Sequence, residues 1–469
     1  MRISSVLVSA LYASICSAAP AIINTTSGLL QGSVTNGVSS FKGIRFAQPP
    51  TGALRWEPPI PFISTRVQNV TTLGPSCLQQ FPFASSALDQ FLFNNPADPP
   101  AENEDCLFLN VWAPASQNRK LPVLVWIYGG ALSFGTASLP AYDGTSFAAN
   151  QDIILVTFNY RTNVFGFPEL AFLWVQDNIA NFGGDPDQVT IMGQSAGSQS
   201  VSSAISRHTS GNAPFRAGIM LSGAQVSMVP IPSFTSFNNF STAVGCTQAP
   251  GPGRLACLKQ VPAATIRNFT NGPASGSFAP VVDDVTVFSD PLHRIRTGLT
   301  ARVPFIIGNT QDDGSVFALG LTDLSAFLTT TFAGLVTADQ VRPLYPGLND
   351  SQIISEIIKD AEFLCPAELW SGAAVVPEIF GTFIAATATP AEATLSHTMQ
   401  TLVANFVKNP TVAPAPNWPK YVPGNRTTTL AKLAYSGNVE ANNVVQSVQS
   451  DSIDFQCNAL WNRFLDIRV

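Results

Sequence analysis

Histidine is the scarcest functional residue in this chain, with three in 469 positions, His208, His293 and His397. Any imidazole chemistry must use one of them. Charge is also sparse: Asp, Glu, Lys and Arg make up 12% of residues and the formal net charge is −6. Nothing basic clusters along the chain, which excludes an electrostatic footprint for nucleic acid. After the first residues no stretch reaches the ~18 uncharged apolar residues that a membrane-spanning helix needs. The cysteine spacings match no zinc motif, and no metal or other cofactor is expected. Internal repeats and low-complexity tracts are absent. Apolar side chains, by contrast, reach 45%, enough for a large core and against general disorder.

The N-terminus has the layout of a secretory signal. Arg2 gives a positive start, Val6 to Ile15 an apolar run, and Cys16-Ser17-Ala18-Ala19 a small-residue cleavage site. Residues 1–18 are therefore expected to be removed, leaving 19–469 as a single, extracellular domain. Asn-x-Ser/Thr sequons at Asn24, Asn69, Asn239, Asn268, Asn349 and Asn425 agree with that route. So do the six cysteines left after cleavage, an even number that favours disulfides. Proximity pairs Cys77 with Cys106 and Cys246 with Cys257, and elimination pairs Cys365 with Cys457.

The stretch that organises the chain is Val189-Thr-Ile-Met-Gly-Gln-Ser-Ala-Gly197, an apolar strand running into Gly-x-Ser-x-Gly. This is the pattern of a nucleophile elbow, where a serine, here Ser195, sits on a strained turn between strand and helix. Glycine at 193 and 197 avoids collision with neighbouring backbone. Around it, Leu107 to Trp112, Leu121 to Tyr128, Ile153 to Tyr160, Ala217 to Ser222 and Val303 to Gly308 read as strands. Leu170 to Phe182 reads as a helix, and Ile22 to Val34 as an edge hairpin. Strands alternating with helices predict an α/β fold with a mainly parallel central sheet and helices on both faces.

A serine nucleophile needs donors aimed at an oxyanion. The amide after the serine, that of Ala196, is one, and the Gly-rich turn Tyr128-Gly129-Gly130-Ala131 suits the rest. A carboxylate is expected after a later strand, and Asp313 in Thr310-Gln-Asp-Asp-Gly314 sits at such a carboxyl end. The phenylalanines between Cys77 and Cys106 (Phe81, Phe83, Phe91, Phe93) form either a mobile lid or a wall packed on the body, with packing favoured.

These pieces together resemble the type-B carboxylesterase/lipase family, which includes cholinesterases and secreted fungal lipases. The match rests on Gly43-Ile44, Ala47-Gln48-Pro49-Pro50, Arg55-Trp56, Glu104-Asp105-Cys106-Leu107, Asn159-Tyr160-Arg161, Trp174 to Ile179, Phe182 to Pro186, Gly193 to Gly197 and Gln456-Cys457 with Trp461. The resemblance implies an α/β-hydrolase fold and hydrolysis of a small-molecule or lipid ester through a serine acyl-enzyme. It implies Gly130, Ala131 and Ala196 as oxyanion donors and Asp313 where the family usually has glutamate. A lipid interface is a further expected contact. A non-catalytic binding or adhesion role on the same fold is the alternative.

The base is missing. The order Ser, acid, His leaves only His397. At 100° per residue it falls opposite the apolar stripe of Leu395, Met399, Leu402, Val403 and Phe406, so it should face solvent. The family's histidine loop would precede Pro377-Glu378-Ile379-Phe380-Gly381-Thr382, but Ser371-Gly-Ala-Ala-Val-Val-Pro377 joins the flanks directly. A second contraction lies at Phe165 to Leu170. Two contractions favour skipped coding segments over a genuine base-less variant.

Overall fold

The computed structural model describes residues 21–81, 89–90, 93–95, 98–166, 170–225, 234–370, 389–420, 427–449 and 451–465. The leader, the sequon at Asn425, Phe83, Phe91 and the junction 371–388 lie outside the described residues.

The strands are β1 (Ile22–Thr25), β2 (Gly28–Gln31), β3 (Ser33–Thr35), β4 (Val38–Arg45), β5 (Val67–Asn69), β6 (Phe108–Pro114), β7 (Leu121–Ile127), β8 (Ile154–Phe158), β9 (Gly184–Gln194), β10 (Ala217–Leu221), β11 (Phe305–Gly308), β12 (Leu430–Leu433) and β13 (Val445–Val448). Eight of them form the main sheet in the order β11-β10-β9-β7-β8-β6-β4-β3. The five from β11 to β8 run parallel. The flank β6-β4-β3 is antiparallel, so the sheet is mixed. Every residue of β7, β8 and β10 is buried, as continuous apolar strands in a covered parallel sheet must be. The expected N-terminal hairpin is β1-β2, joined by β5 in a separate small sheet. The stretch from Phe41 to Trp56 is rich in aromatics and turn residues. Its start instead belongs to β4, which buries Phe41 and Ile44 in the core.

The helices that matter here are α1 (Leu170–Asn178), α2 (Ala196–Arg207), α3 (Pro291–Arg296), α4 (Asp350–Ile358) and α5 (Pro390–Lys408). The predicted helix to Phe182 ends as α-helix at Asn178 and continues as a 3-10 turn, Ile179–Phe182, stopped by left-handed Gly183 (φ 82°). Helix α5 opens on a capping box in which Thr389 and Glu392 exchange hydrogen bonds, satisfying two otherwise orphaned amides. Its far end is held by the Arg216 guanidinium, which donates to the carbonyls of Val407 and Lys408.

Several motif residues turn out to be joints. Arg55 pairs with Glu104 through Nη2 at 2.8 Å, both side chains nearly buried. Arg45 pairs with Asp105 at 2.8 Å, and Cys106 bonds to Cys77. Glu104-Asp105-Cys106 thus ties β6 to the segment before it three times over. The other disulfides join Cys246 to Cys257 and Cys365 to Cys457. Phe81 and Phe93 both pack against Phe134, with ring centroids 5.1 and 5.3 Å away, and Phe81 is buried. At these two positions the disulfide loop is part of the body.

Candidate active site

Ser195 sits between β9 and the first turn of α2 with φ 54° and ψ −121°. A side-chain-bearing residue seldom adopts this conformation, and surrounding structure must impose it. Three contacts do so. The Ser195 amide donates to the Leu221 carbonyl on β10 at 2.8 Å. Gly193 and Gly197 face each other so closely that a Cβ on Gly193 would lie 2.3 Å from the Gly197 carbonyl. A Cβ on Gly197 would lie 2.1 Å from the Ile127 carbonyl oxygen of β7. Only glycine lets α2 start this near the sheet.

The Gly-rich turn after β7 comes to the same place. A Cβ on Gly129 would stand 3.0 Å from the Ser195 Cβ and 2.6 Å from the Gln194 side-chain oxygen. The turn then runs through left-handed Gly130 (φ 109°), Ala131 (φ 53°) and Leu132 (φ 57°). The Gly130 carbonyl accepts from the amides of Ser133 and Phe134 at 2.9 and 3.0 Å, closing the turn. Among the described residues no group accepts from the Gly130 or Ala131 amide. The Ala196 amide opens α2, where the helix dipole adds positive potential.

A tyrosine pair fixes this turn, and sequence reasoning missed it. Tyr128 and Tyr160 stack with centroids 4.3 Å apart. The Tyr160 hydroxyl donates to the Tyr128 carbonyl at 2.8 Å, and the Tyr128 hydroxyl donates to the Tyr160 carbonyl at 3.2 Å. Burial pushes both phenols well above their ordinary pKa, so the pair stays neutral. The signal was present as Tyr128 before Gly-Gly and Tyr160 in Asn-Tyr-Arg, but only the sheet order makes the two neighbours.

Asp313 lies beyond β11, whose end Gly308 is in register with Leu221 and, through β10, with Gln194. Two strand spacings of ~4.8 Å separate those ends. Ser195 and the Asp313 turn therefore share one end of the sheet. The Asp313 carboxylate accepts from the Thr310 amide at 2.7 Å and the Thr310 hydroxyl at 2.6 Å. Gly314 butts against α4, where a Cβ would come within 1.9 Å of the Ser355 carbonyl oxygen. The Asp313 carboxylate is held by its own loop.

All three histidines are described, and all stand elsewhere. His208 caps the far end of α2, its Nδ1 2.9 Å from the Ala204 carbonyl oxygen. That is ~20 Å along the helix from Ser195. His293 is exposed on α3, next to an arginine (Arg294) that donates to Ser206 near the same far end. His397 is exposed on α5, with Met399, Leu402, Val403 and Phe406 buried on the opposite side. Among the described residues no group of three His, Cys, Asp or Glu could hold a metal ion, and no helix is long and apolar enough to cross a membrane.

The mixed eight-stranded sheet with surrounding helices and a serine at the strand-to-helix turn defines an α/β-hydrolase. Residues 19–360 match the carboxylesterase family, and the chain belongs to it. It is 30% identical to the para-nitrobenzyl esterase of Bacillus subtilis, over 87% of this chain and 94% of that one. It is 30% identical to carboxylesterase 1C of Rattus norvegicus, over 86% and 88%. With secreted lipase 1 of Botryotinia fuckeliana it shares 34% identity, over 63% and 60%. A solved structure of PNB esterase superposes with a TM-score of 0.75 at 26% identity, over 94% of this chain and 99% of that one. Membership places the chain among ester hydrolases.

Proposed function

We propose that this chain is a secreted carboxylic-ester hydrolase that works through an acyl-enzyme on Ser195. The Ser195 hydroxyl oxygen attacks the acyl carbon and the alkoxide leaves. Water then releases the acid. The amides of Gly130, Ala131 and Ala196 are the oxyanion donors, and Asp313 is the carboxylate that would orient an imidazole. The observation that carries this reading is the left-handed backbone of Ser195 beside Gly129. A structural serine has no use for that strain. Secretion is supported by the three disulfides and by five sequon asparagines, Asn24, Asn69, Asn239, Asn268 and Asn349, all exposed.

The chain as written has no base. His208, His293 and His397 are all accounted for by other surroundings, and the short junction at 371–377 carries none. Without imidazole, the serine hydroxyl must lose its proton to solvent during attack. Loss of one triad member removes several orders of magnitude while oxyanion catalysis of about 10³–10⁴ over water survives. That deficit favours a second reading, a binding protein on the hydrolase fold. A fluorophosphonate probe separates the two. Slow covalent labelling that peptide mapping assigns to Ser195 supports the hydrolase, and no label at Ser195 after prolonged exposure overturns it in favour of binding.

A further inference from the structure

Arg161 is a buried cation with no counter-ion among the described residues. It follows β8 with only 7% of its surface exposed. Its Nη1 donates to the Glu57 carbonyl at 3.0 Å, while its Nε, sealed from solvent, has no partner. Burial lowers its pKa, and no neighbouring carboxylate raises it again. Arg267, by contrast, is raised by Glu102. Buried charges are ordinarily paired, because an unpaired one loses its hydration without compensation.

Arg161 lines a cavity of about 10 Å³, room for one particle of about water's size. Arg55, Trp56, Glu104, Phe165 and the Cys77–Cys106 disulfide are among the other walls. Two guanidinium groups therefore stand against one carboxylate, and that carboxylate is fully engaged. Both Glu104 oxygens accept from Arg55, one of them from Nη2 at 2.8 Å. The remaining Arg55 nitrogen, Nη1, donates to the carbonyls of Leu258 and Val261. The Glu57 carboxylate is turned to Lys259. One positive charge, that of Arg161, stays uncancelled in the lining. The walls are set before any ligand arrives: Trp56 Nε1 donates to the Val164 carbonyl at 2.7 Å, and the Trp56 ring stacks on Phe165 with centroids 6.4 Å apart.

We propose that this cavity holds a single monatomic anion, chloride, bound by the Arg161 guanidinium. Space for one small particle leaves out phosphate and organic carboxylates, and guanidinium N–H groups are strong donors to an anion. No candidate active-site residue lines the cavity, so the site does not depend on the reading of Ser195. Thermal unfolding of the full-length protein tests the assignment in potassium gluconate, whose anion is too large to enter, exchanged stepwise for chloride at constant ionic strength. The expected result is a saturable rise in Tm of about 1–2 °C at tenfold excess over Kd. Arg161→Met should abolish the rise, and Arg66→Gln, at an exposed position, should keep it. Long-wavelength anomalous diffraction from crystals grown in chloride should show a peak in contact with the Arg161 guanidinium, and this map decides the matter alone if Arg161→Met does not fold. A Tm indifferent to the exchange overturns the proposal. So does a rise that survives Arg161→Met, a rise lost in Arg66→Gln, or a map with no anomalous peak at Arg161.

Discussion

Replacing Gly197 by alanine tests whether the elbow holds Ser195 through glycine-only contacts. The new methyl would lie 2.1 Å from the Ile127 carbonyl oxygen and 2.7 Å from that of Tyr128. Both distances are far inside ordinary van der Waals contact, and both atoms are backbone. Ile127 closes a strand buried along its whole length, with hydrogen-bonded neighbours on either side, so β7 will not yield. Helix α2 must move instead, and it carries Ser195 at its N-cap. Overpacking of a dense core costs typically 1–3 kcal/mol and more when neither partner relaxes, so about 3 kcal/mol is expected. With m near 3 kcal/mol/M, the urea midpoint followed by circular dichroism falls by about 1 M at unchanged m. The internal control is Gly253→Ala. Gly253 lies in the helix Pro252–Gln260 with nothing within 4 Å of an added Cβ. There the same methyl should stabilise by roughly 0.5–1 kcal/mol. Equal midpoints for the two variants would show that the glycine contacts at 197 do not hold the elbow.

Two further outcomes follow from the joints of the fold. Arg55→Met leaves Glu104 charged and nearly buried without its guanidinium, so it should cost about 3–5 kcal/mol, and the double variant with Glu104→Met should recover much of that loss. Denaturation of the four proteins of this cycle checks both. Asp360 is buried, and burial raises its carboxyl pKa, although Lys359 and the Tyr345 hydroxyl, 2.6 Å away, work in the other direction. The folded state therefore holds this proton more tightly than the unfolded chain. The associated stability is fully present below the ordinary carboxylate range and is lost as pH rises through the raised pKa. Asp360→Asn should remove that loss, so unfolding midpoints measured from pH 4 to 7 will converge on or cross those of the parent protein as pH rises.

The parallel half of the sheet was legible because β7, β8, β10 and the second half of β9 are apolar runs, and only strands buried on both faces require such runs. The ends agree within one or two residues except at β9, which begins at Gly184, ahead of the apolar run from Val189. In the antiparallel flank β6 was legible as the run from Leu107 to Trp112, but β4 was not, because it interleaves Ser39, Ser40 and Lys42 with its apolar residues and leads into a Pro- and Gly-rich stretch. In the site, the elbow and the Gly-Gly turn were readable from spacing, since glycine at fixed offsets has a steric cause. Asp313 does follow the carboxyl end of β11, as its position after Val303 to Gly308 implied, but its bonds to Thr310 depend on loop geometry that no spacing encodes. The Tyr128–Tyr160 pair was hidden because its partners are neighbours only through the β7-β8 register. Helical periodicity was enough to turn His397 outward.

Ser195 as the proposed nucleophile of a hydrolase site without an imidazole has a direct kinetic consequence. The direct measurement is para-nitrophenyl acetate hydrolysis with and without added free imidazole, in the parent protein, in Ser195→Ala, and in a variant with His208, His293 and His397 all replaced by Gln. The predicted result is slow turnover that disappears in Ser195→Ala, persists in the triple-histidine variant, and rises with imidazole by more than the Ser195→Ala background. Turnover that survives Ser195→Ala, or that the triple-histidine variant abolishes, would contradict it.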